Sequence, residues 1–218
     1  MKIYIGVGHG GRDSGAYANG IKEKDINLIV AKSTRDILEQ HGVQVLMSRN
    51  DDFYESVQEK VNECNSFNPD FCIEIHFNAG GGDGFEGFVY PNTIESIGIG
   101  KIIERELAKN GQNSRGLKDG SKFGMVRETH APALLVEGGF IDSKKDLQAF
   151  DELHEQKKFG EIYAMAILEY FKIPLKKPVP ESELLYCVQV GAYALKENAE
   201  KKAQEMEELG INSFIWVK

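Results

Sequence analysis

Two histidines and two glutamates stand where an α/β chain gathers its chemistry. His9 follows the apolar run Ile3–Val7 in "IYIGVGHGGRDSGA", His76 comes near the end of "FCIEIHFNA", and Glu137 closes the apolar part of "APALLVEGGF". In open α/β sheets, ligands bind where loops leave the carboxyl ends of the strands. Glu23, just ahead of an apolar helical stripe, is a fourth candidate. Two imidazoles and one carboxylate are a ligand set for catalytic zinc, with the fourth position left to water, and a further carboxylate can then serve as base. Zinc lowers the pKa of bound water from 15.7 to roughly 7, which makes hydroxide available at neutral pH. Taken singly, each residue has a plainer role: a loop or core histidine, or a first-turn acid at a helix amino terminus. Glu137 resists that treatment most, because the glycines after it let a substrate approach the backbone.

The glycines around His9 raise a competing chemistry. Gly6, Gly8 and Gly11 satisfy G-x-G-x-x-G, the loop that cradles a dinucleotide pyrophosphate. That fingerprint needs a helix beginning within the glycines and an acid at the end of the second strand. Here Arg12, Asp13, Ser14 and Gly15 follow, then a turn at Asn19-Gly20, and the next strand, Val43 to Ser48, ends in Arg49. A nucleotide loop is therefore set aside.

The elements that must position these residues alternate through 1–172. Ile3, Ile5 and Val7 alternate as a strand; Ile26, Ile29, Val30, Ile37 and Leu38 form a helical stripe stopping at Gly42. Val43–Met47 is a short strand, Val57 and Val61 mark a helix ending before Pro69, and Phe71–Phe77 is an apolar strand. Phe85–Tyr90 reads as an additional strand, and Ile99, Ile102, Ile103 and Leu107 as a helix face ended by Gly111. Ala133–Val136 is a buried-type strand, and Ser143 with Asp146 resembles a capping box opening the next helix. The run Phe159, Ile162, Tyr163, Ala166, Ile167, Tyr170 and Phe171 makes an amphipathic helix. The expected fold is α/β, a mostly parallel central sheet flanked by helices.

Pro174, Pro178 and Pro180 then mark residues 173–183 as a stiff, extended linker. Residues 184–218 read strand, helix, strand, with Ala199, Ala203, Met206 and Leu209 on one helical face. With 218 residues, 41% hydrophobic and 28% charged, the chain suits one well-buried domain plus a small module. Its net charge of −8 argues against nucleic-acid or anionic-membrane partners, which need a basic surface. No apolar run approaches the roughly 20 residues of a membrane span, so membrane insertion is not expected. Cys64, Cys72 and Cys187 are odd in number and scattered, which suggests neither a disulfide framework nor a cysteine zinc site. The first strand starts at residue 2 or 3, leaving no room ahead of it for a cleavable secretory segment; synthesis in the cytoplasm, with action on a target after release, is the expectation.

Four segments together carry a resemblance. "GVGHGGRDSGA", "GIKEKDINLIVAKSTRDILEQHGVQVLMSRNDD", "FCIEIHFNAGGGDGFEGFVYP" and "APALLVEGGFIDSKKD" resemble, in order over residues 1–172, the zinc-dependent N-acetylmuramoyl-L-alanine amidases of the Amidase_3 type, found in bacterial wall hydrolases and phage endolysins. The resemblance implies one Zn2+ per chain held by His9, Glu23 and His76, with Glu137 as catalytic base. Asp25 is also an acid near the second motif; the family pattern, with the acid just ahead of the apolar stripe, favours Glu23. Many members have serine where this chain has Glu74, two residues before His76. Strand alternation puts Glu74 and His76 on one face, so Glu74 either orients a ligand or pairs elsewhere. Asn78 is a candidate substrate contact, with loop chemistry as its alternative. The implied reaction is zinc-assisted hydrolysis of the amide between the lactyl group of N-acetylmuramic acid and L-alanine.

The tail "YCVQVGAYALKENAEKKAQEMEELGINSFIWVK" resembles the opening half of a sporulation-related (SPOR-like) peptidoglycan-binding repeat. A single half leaves a gap in the split βαβ arrangement, and pairing of two copies about a twofold axis would fill it, giving a homodimer. The expected partner is thus bacterial peptidoglycan, in a phage, prophage or sporulation setting, of which a phage or prophage endolysin is the simplest. The competing readings are a wall-binding protein without turnover and a zinc hydrolase acting on a different bond of the same polymer.

Overall fold

The computed structural model describes residues 1–176, 191, 193–211 and 215. The chain separates into two compact units, Met1–Lys176 and Lys177–Lys218. In the first unit the elements run β1 (Lys2–Val7), β2 (Tyr17–Ala18), β3 (Ile21–Lys22), α1 (Glu23–Gln40), β4 (Gln44–Met47), α2 (Val57–Phe67), β5 (Phe71–Asn78) and β6 (Phe85–Val89). They continue with α3 (Ile94–Lys109), β7 (Ser114–Asp119), α4 (Gly124–Arg127), β8 (Ala133–Phe140), α5 (Lys144–Leu147) and α6 (Leu153–Tyr170). In the second unit the described helix is α7 (Lys196–Glu208), none of whose residues is buried. The strands expected on either side of it, Cys187 and most of the proline linker lie outside the described residues.

Six strands form one sheet in the order β4-β1-β5-β8-β6-β7. The first four run parallel; β6 pairs antiparallel with β8 and parallel with β7. The expected mostly parallel α/β fold is what the chain adopts. Alternation assigns the two faces: Ile3, Ile5, Val7, Phe71, Ile73, Ile75 and Phe77 pack into the large core with α1, α3 and α6. Tyr4 and Cys72 point the other way, into a smaller cluster with Val61, Cys64, Met125 and Ala133. Glu74, His76 and Glu137 share the parity of this second face.

One local reading needs correction. Ser143 accepts from the Asp146 backbone N–H, but the helix it opens, α5, is a single turn, and the Asp146 carboxylate does not return to Ser143. Asp146 instead accepts from the backbone N–H groups of Gly84 (2.7 Å) and Phe140 (2.8 Å), tying the loop before β6 to the end of β8. The long helix α6 has its own capping box, Glu152 with Glu155. The strand β7 was not anticipated: "SRGLKD" is polar, and its register shifts against β6 between Phe85 and Gly87. The turn at Asn19-Gly20 is a tight hairpin joining β2 to β3, with both residues at positive φ (52° and 81°), the conformation that favours Asn-Gly.

Candidate active site

The loop after β1 is built to turn His9 back over the sheet. His9 itself has φ +58°, a left-handed conformation uncommon for a residue with a Cβ. The bridge between Gly10 and Asp13 holds it there, with N···O distances of 2.8 and 3.0 Å. Glu23, first residue of α1, and His76, near the end of β5, meet His9 from the other sides. Glu23 Oε2 lies 3.1 Å from His9 Nε2, and Glu23 Oε1 lies 2.8 Å from His76 Nδ1. One ligand atom from each of the three residues falls within 4.8 Å of the other two, so the group could hold a metal ion. The Glu23 carboxylate is also fixed by the backbone N–H groups of Ala16 (3.0 Å) and Phe77 (3.3 Å).

Glu137 completes the arrangement from β8. It stands in register with His76 on one side and with Glu86 of β6 on the other. Directly after it the β5–β8 register slips between His76 and Asn78. Such a bulge re-aims side chains at the end of a strand. Glu137 Oε2 is buried and has no hydrogen-bond partner among the described residues. Burial pushes its carboxyl up to about 7; His76 opposes that shift, while Glu23 and Glu86 add to it.

The electrostatics of the histidines run the opposite way. For His76, burial disfavours the charge, but hydrogen bonds to Glu23 and Glu74 prevail and raise it to about 10. His9 is likewise raised, burial being outweighed by Glu23 and Asp13. Burial would raise Glu23, yet its contacts with His76 and His9 hold it well below the usual carboxylate range.

Residues 3–169 match the family Amidase_3, N-acetylmuramoyl-L-alanine amidase. The chain belongs to this amidase family. A sporulation-specific N-acetylmuramoyl-L-alanine amidase of Bacillus subtilis (strain 168) is 36% identical over 227 residues, covering 100% of this chain and 85% of the relative. An endolysin of Bacillus phage SPP1 is 33% identical over 183 residues, covering 80% of this chain and 67% of the relative. The solved structure of the amidase AmiC2 of Nostoc punctiforme superposes with a TM-score of 0.73 at 29% identity, covering 79% of this chain and 97% of that one.

In this amidase-family chain the four sequence candidates His9, Glu23, His76 and Glu137 converge on one face of the sheet, and a set of supporting residues holds them. Asp13 Oδ2 takes His9 Nδ1 at 2.8 Å, leaving Nε2 toward Glu23. Glu74 Oε1 lies 3.5 Å from His76 Nε2, leaving Nδ1 toward Glu23. Each imidazole therefore has one nitrogen on an outer carboxylate and the other facing the cluster, the pairing that fixes tautomer and ring orientation at metal sites. Glu74 also pairs with Lys60 Nζ at 2.7 Å with both side chains 4% exposed, so it contacts the His76 ring and an ion-pair partner at once.

Asn78 bonds inward rather than standing free. Its amide donates to Glu86 Oε2 at 3.3 Å and its carbonyl oxygen accepts from Ala79 N–H at 2.9 Å. Sequence reading missed Asp13, Lys60, Arg49 and Glu86. Arg49 is buried and donates to the backbone carbonyls of Gly8 (3.1 Å) and Lys24 (2.7 Å), stitching the His9 loop to the start of α1. The only signal for it was an arginine where a nucleotide fold would have an acid. Asp25, the other acid of the second motif, takes no part in the metal-ligand group.

Proposed function

We propose that the protein is a zinc-dependent amidase of peptidoglycan, cutting the bond between the lactyl carbonyl of N-acetylmuramic acid and the L-alanine nitrogen. The observation that carries this reading is the Glu137 carboxylate, whose Oε2 is buried without a hydrogen-bond partner among the described residues, in register beside His76 and on the face where His9 and Glu23 also converge. The donor set suits zinc: two imidazoles and a carboxylate, with each imidazole backed by a second carboxylate. His9, Glu23 and His76 would hold the ion. When bound, zinc supplies Lewis-acid polarisation of the carbonyl and a water acidic enough to attack at neutral pH.

The chain's own part in the reaction falls to Glu137. A carboxyl held near 7 accepts a proton from water and returns it to a leaving amine at neutral pH, which is the task of a general base that turns acid. Desolvation makes it a stronger base than an exposed glutamate. Family membership and the names of the relatives support the bond and the polymer.

End-group analysis of digested cell walls tests the reading. New amino-terminal L-alanine without new reducing sugar ends, abolished by a chelator and by Glu137→Ala, is the expected result. Release of another group would move the cut to a different bond. Wall binding with no release would favour the non-catalytic alternative.

For residues 184–218 we propose wall binding through a SPOR-like half repeat, paired across a twofold axis in a homodimer. The whole-chain match to the sporulation-specific relative supports a functional tail and a sporulation setting over a phage one. Sedimentation giving a monomer at micromolar concentration would remove the dimer.

A further inference from the structure

The acidic chain carries an unusual basic row beside Glu137. Glu86, 6% exposed, lies in register with Glu137 on the antiparallel β6–β8 pair, on the side away from His76. Its Oε1 receives two cations from β7, Arg115 through Nε and Lys118 through Nζ at 2.5 Å, while Oε2 receives the Asn78 amide. One buried carboxylate thus orients two cations and neutralises only one. Both side chains stay substantially exposed, 44% for Arg115 and 38% for Lys118. The terminal amino groups of Arg115 make no hydrogen bond among the described residues, so the guanidinium keeps a donor fork for a ligand.

Aromatic rings shape the same strip. Arg115 lies 5.5 Å over Phe140, and Lys118 lies 5.9 Å over Phe88. Lys122 adds a third cation, 5.7 Å from Phe88 and 4.9 Å from Phe123, with no ion-pair partner among the described residues. The order across the sheet is β5 with His76, β8 with Glu137, β6 with Glu86, then β7 with Arg115 and Lys118, and Lys122 follows three residues after the end of β7. Two strand spacings separate β7 from β8, about 10 Å.

We propose that Arg115, Lys118 and Lys122 form a subsite for free carboxylates on the peptide side of the substrate, with Glu86 as the positioning residue. The inference rests on the amidase reading. A substrate whose carbonyl meets the histidine side of Glu137 and whose nitrogen meets Glu137 itself continues over β6 and β7. An extended peptide rises about 3.3–3.6 Å per residue, so the cations fall two to three residues beyond the scissile amide. An arginine fork and two lysines recognise carboxylates there and leave a neutral carboxamide with weaker partners. The strip accordingly selects acidic over amidated peptides.

The test uses two soluble N-acetylmuramoyl peptides that differ only in bearing a free carboxylate or its carboxamide on the second residue. The wild-type enzyme should favour the acid about fivefold in kcat/KM, mainly through KM. Arg115→Gln and Lys122→Gln should each lose most of that preference on the acid and little further on the amide. Equal turnover of both substrates by the wild-type enzyme, or equal losses by the variants on both, overturns the subsite. Lys122 makes no hydrogen bond or ion pair among the described residues, so Lys122→Gln carries the test if Arg115→Gln fails to fold. If neither substrate releases peptide, the amidase reading fails first. The subsite is then judged by titrating the free acidic peptide and its amide: a preference that Lys122→Gln abolishes supports it, and equal binding overturns it.

Discussion

Gly8 and His76 share one space: a Cβ built on Gly8 would lie 2.4 Å from His76 Cε1 and 2.6 Å from both ring nitrogens. Gly6 stands in the same relation to Glu74, where a Cβ would lie 1.4 Å from Oε2. Gly6 in β1 and Gly8 just after it therefore make room on the neighbouring strand for the His76 imidazole and the Glu74 carboxylate beside it. Gly8→Ala should displace the imidazole and lower zinc affinity by at least about 10–100-fold, the usual cost of disturbing a ligand's orientation. Competition with a chromophoric chelator would measure it; unchanged affinity would mean that the ring can move aside and still bind.

The same pair shows what was legible in the sequence and what was not. G-x-G was visible, and its nucleotide reading could be dismissed, but the purpose of the glycines lay in the β1–β5 pairing, which no local pattern specifies. The strands of β1 and β5 were readable because Ile3, Ile5, Val7 and Phe71, Ile73, Ile75 alternate into one core. That alternation also placed Glu74 with His76. By contrast β7 was hidden, since an edge strand with half-exposed polar residues and a left-handed Gly116 (φ +80°) has no clean period. Asp146 was misread because a carboxylate three residues after a serine fits a capping box, while its actual partners, Gly84 and Phe140, are set by tertiary structure.

Asp13 should act through His9. Its carboxylate takes Nδ1 at 2.8 Å, and at 44% exposure it contributes little to the core. Asp13→Ala should weaken zinc binding about 10–100-fold while leaving the melting temperature of the metal-free protein within a few degrees. A large fall in that melting temperature would recast Asp13 as a loop-forming residue, since its other oxygen also accepts from Gly15 N–H.

Lys60 and Glu74 form the buried ion pair of the site, and removing one partner strands the other. Lys60→Met should cost about 3–5 kcal/mol in chemical denaturation. Burial alone would raise Glu74, but Lys60 and His76 hold it at about 2 against an ordinary 4.5. A depressed carboxylate stabilises the fold fully above its unfolded value, and that stability drains away as pH falls from about 4.5 toward 2. Denaturation midpoints measured across this window should fall steeply in the wild-type protein and less so in a Lys60→Met, Glu74→Leu double variant.

In the proposed zinc site, metal and protons compete for the histidines. With His76 raised to about 10, its imidazole is protonated at neutral pH in the metal-free site, and His9 is shifted in the same direction. Raised histidines stabilise the metal-free fold below their unfolded value near 6.5, and for His76 that contribution is lost as pH climbs through about 10. Zinc needs neutral imidazoles, so binding must release protons, and affinity should drop about tenfold or more per pH unit on acidification between pH 8 and 6. Calorimetry in buffers of different ionisation enthalpy counts the protons; a release near zero would contradict the charge state argued for His76.

In the proposed reaction, Glu137 sets activity against stability. Its carboxyl is raised from 4.5 to about 7 because burial penalises the charge, so the penalty is absent at low pH and grows as pH rises between those values. Glu137→Gln keeps the shape and removes the charge. Above pH 7 it should stabilise the metal-free protein by roughly 1–3 kcal/mol, an advantage that shrinks toward pH 4.5. Loss of the proton carrier should lower kcat by about 100-fold or more with zinc content unchanged. A variant that is inactive and less stable would place Glu137 among the structural groups, whereas one that is inactive and more stable has lost a residue whose cost to the fold is the condition of its basicity.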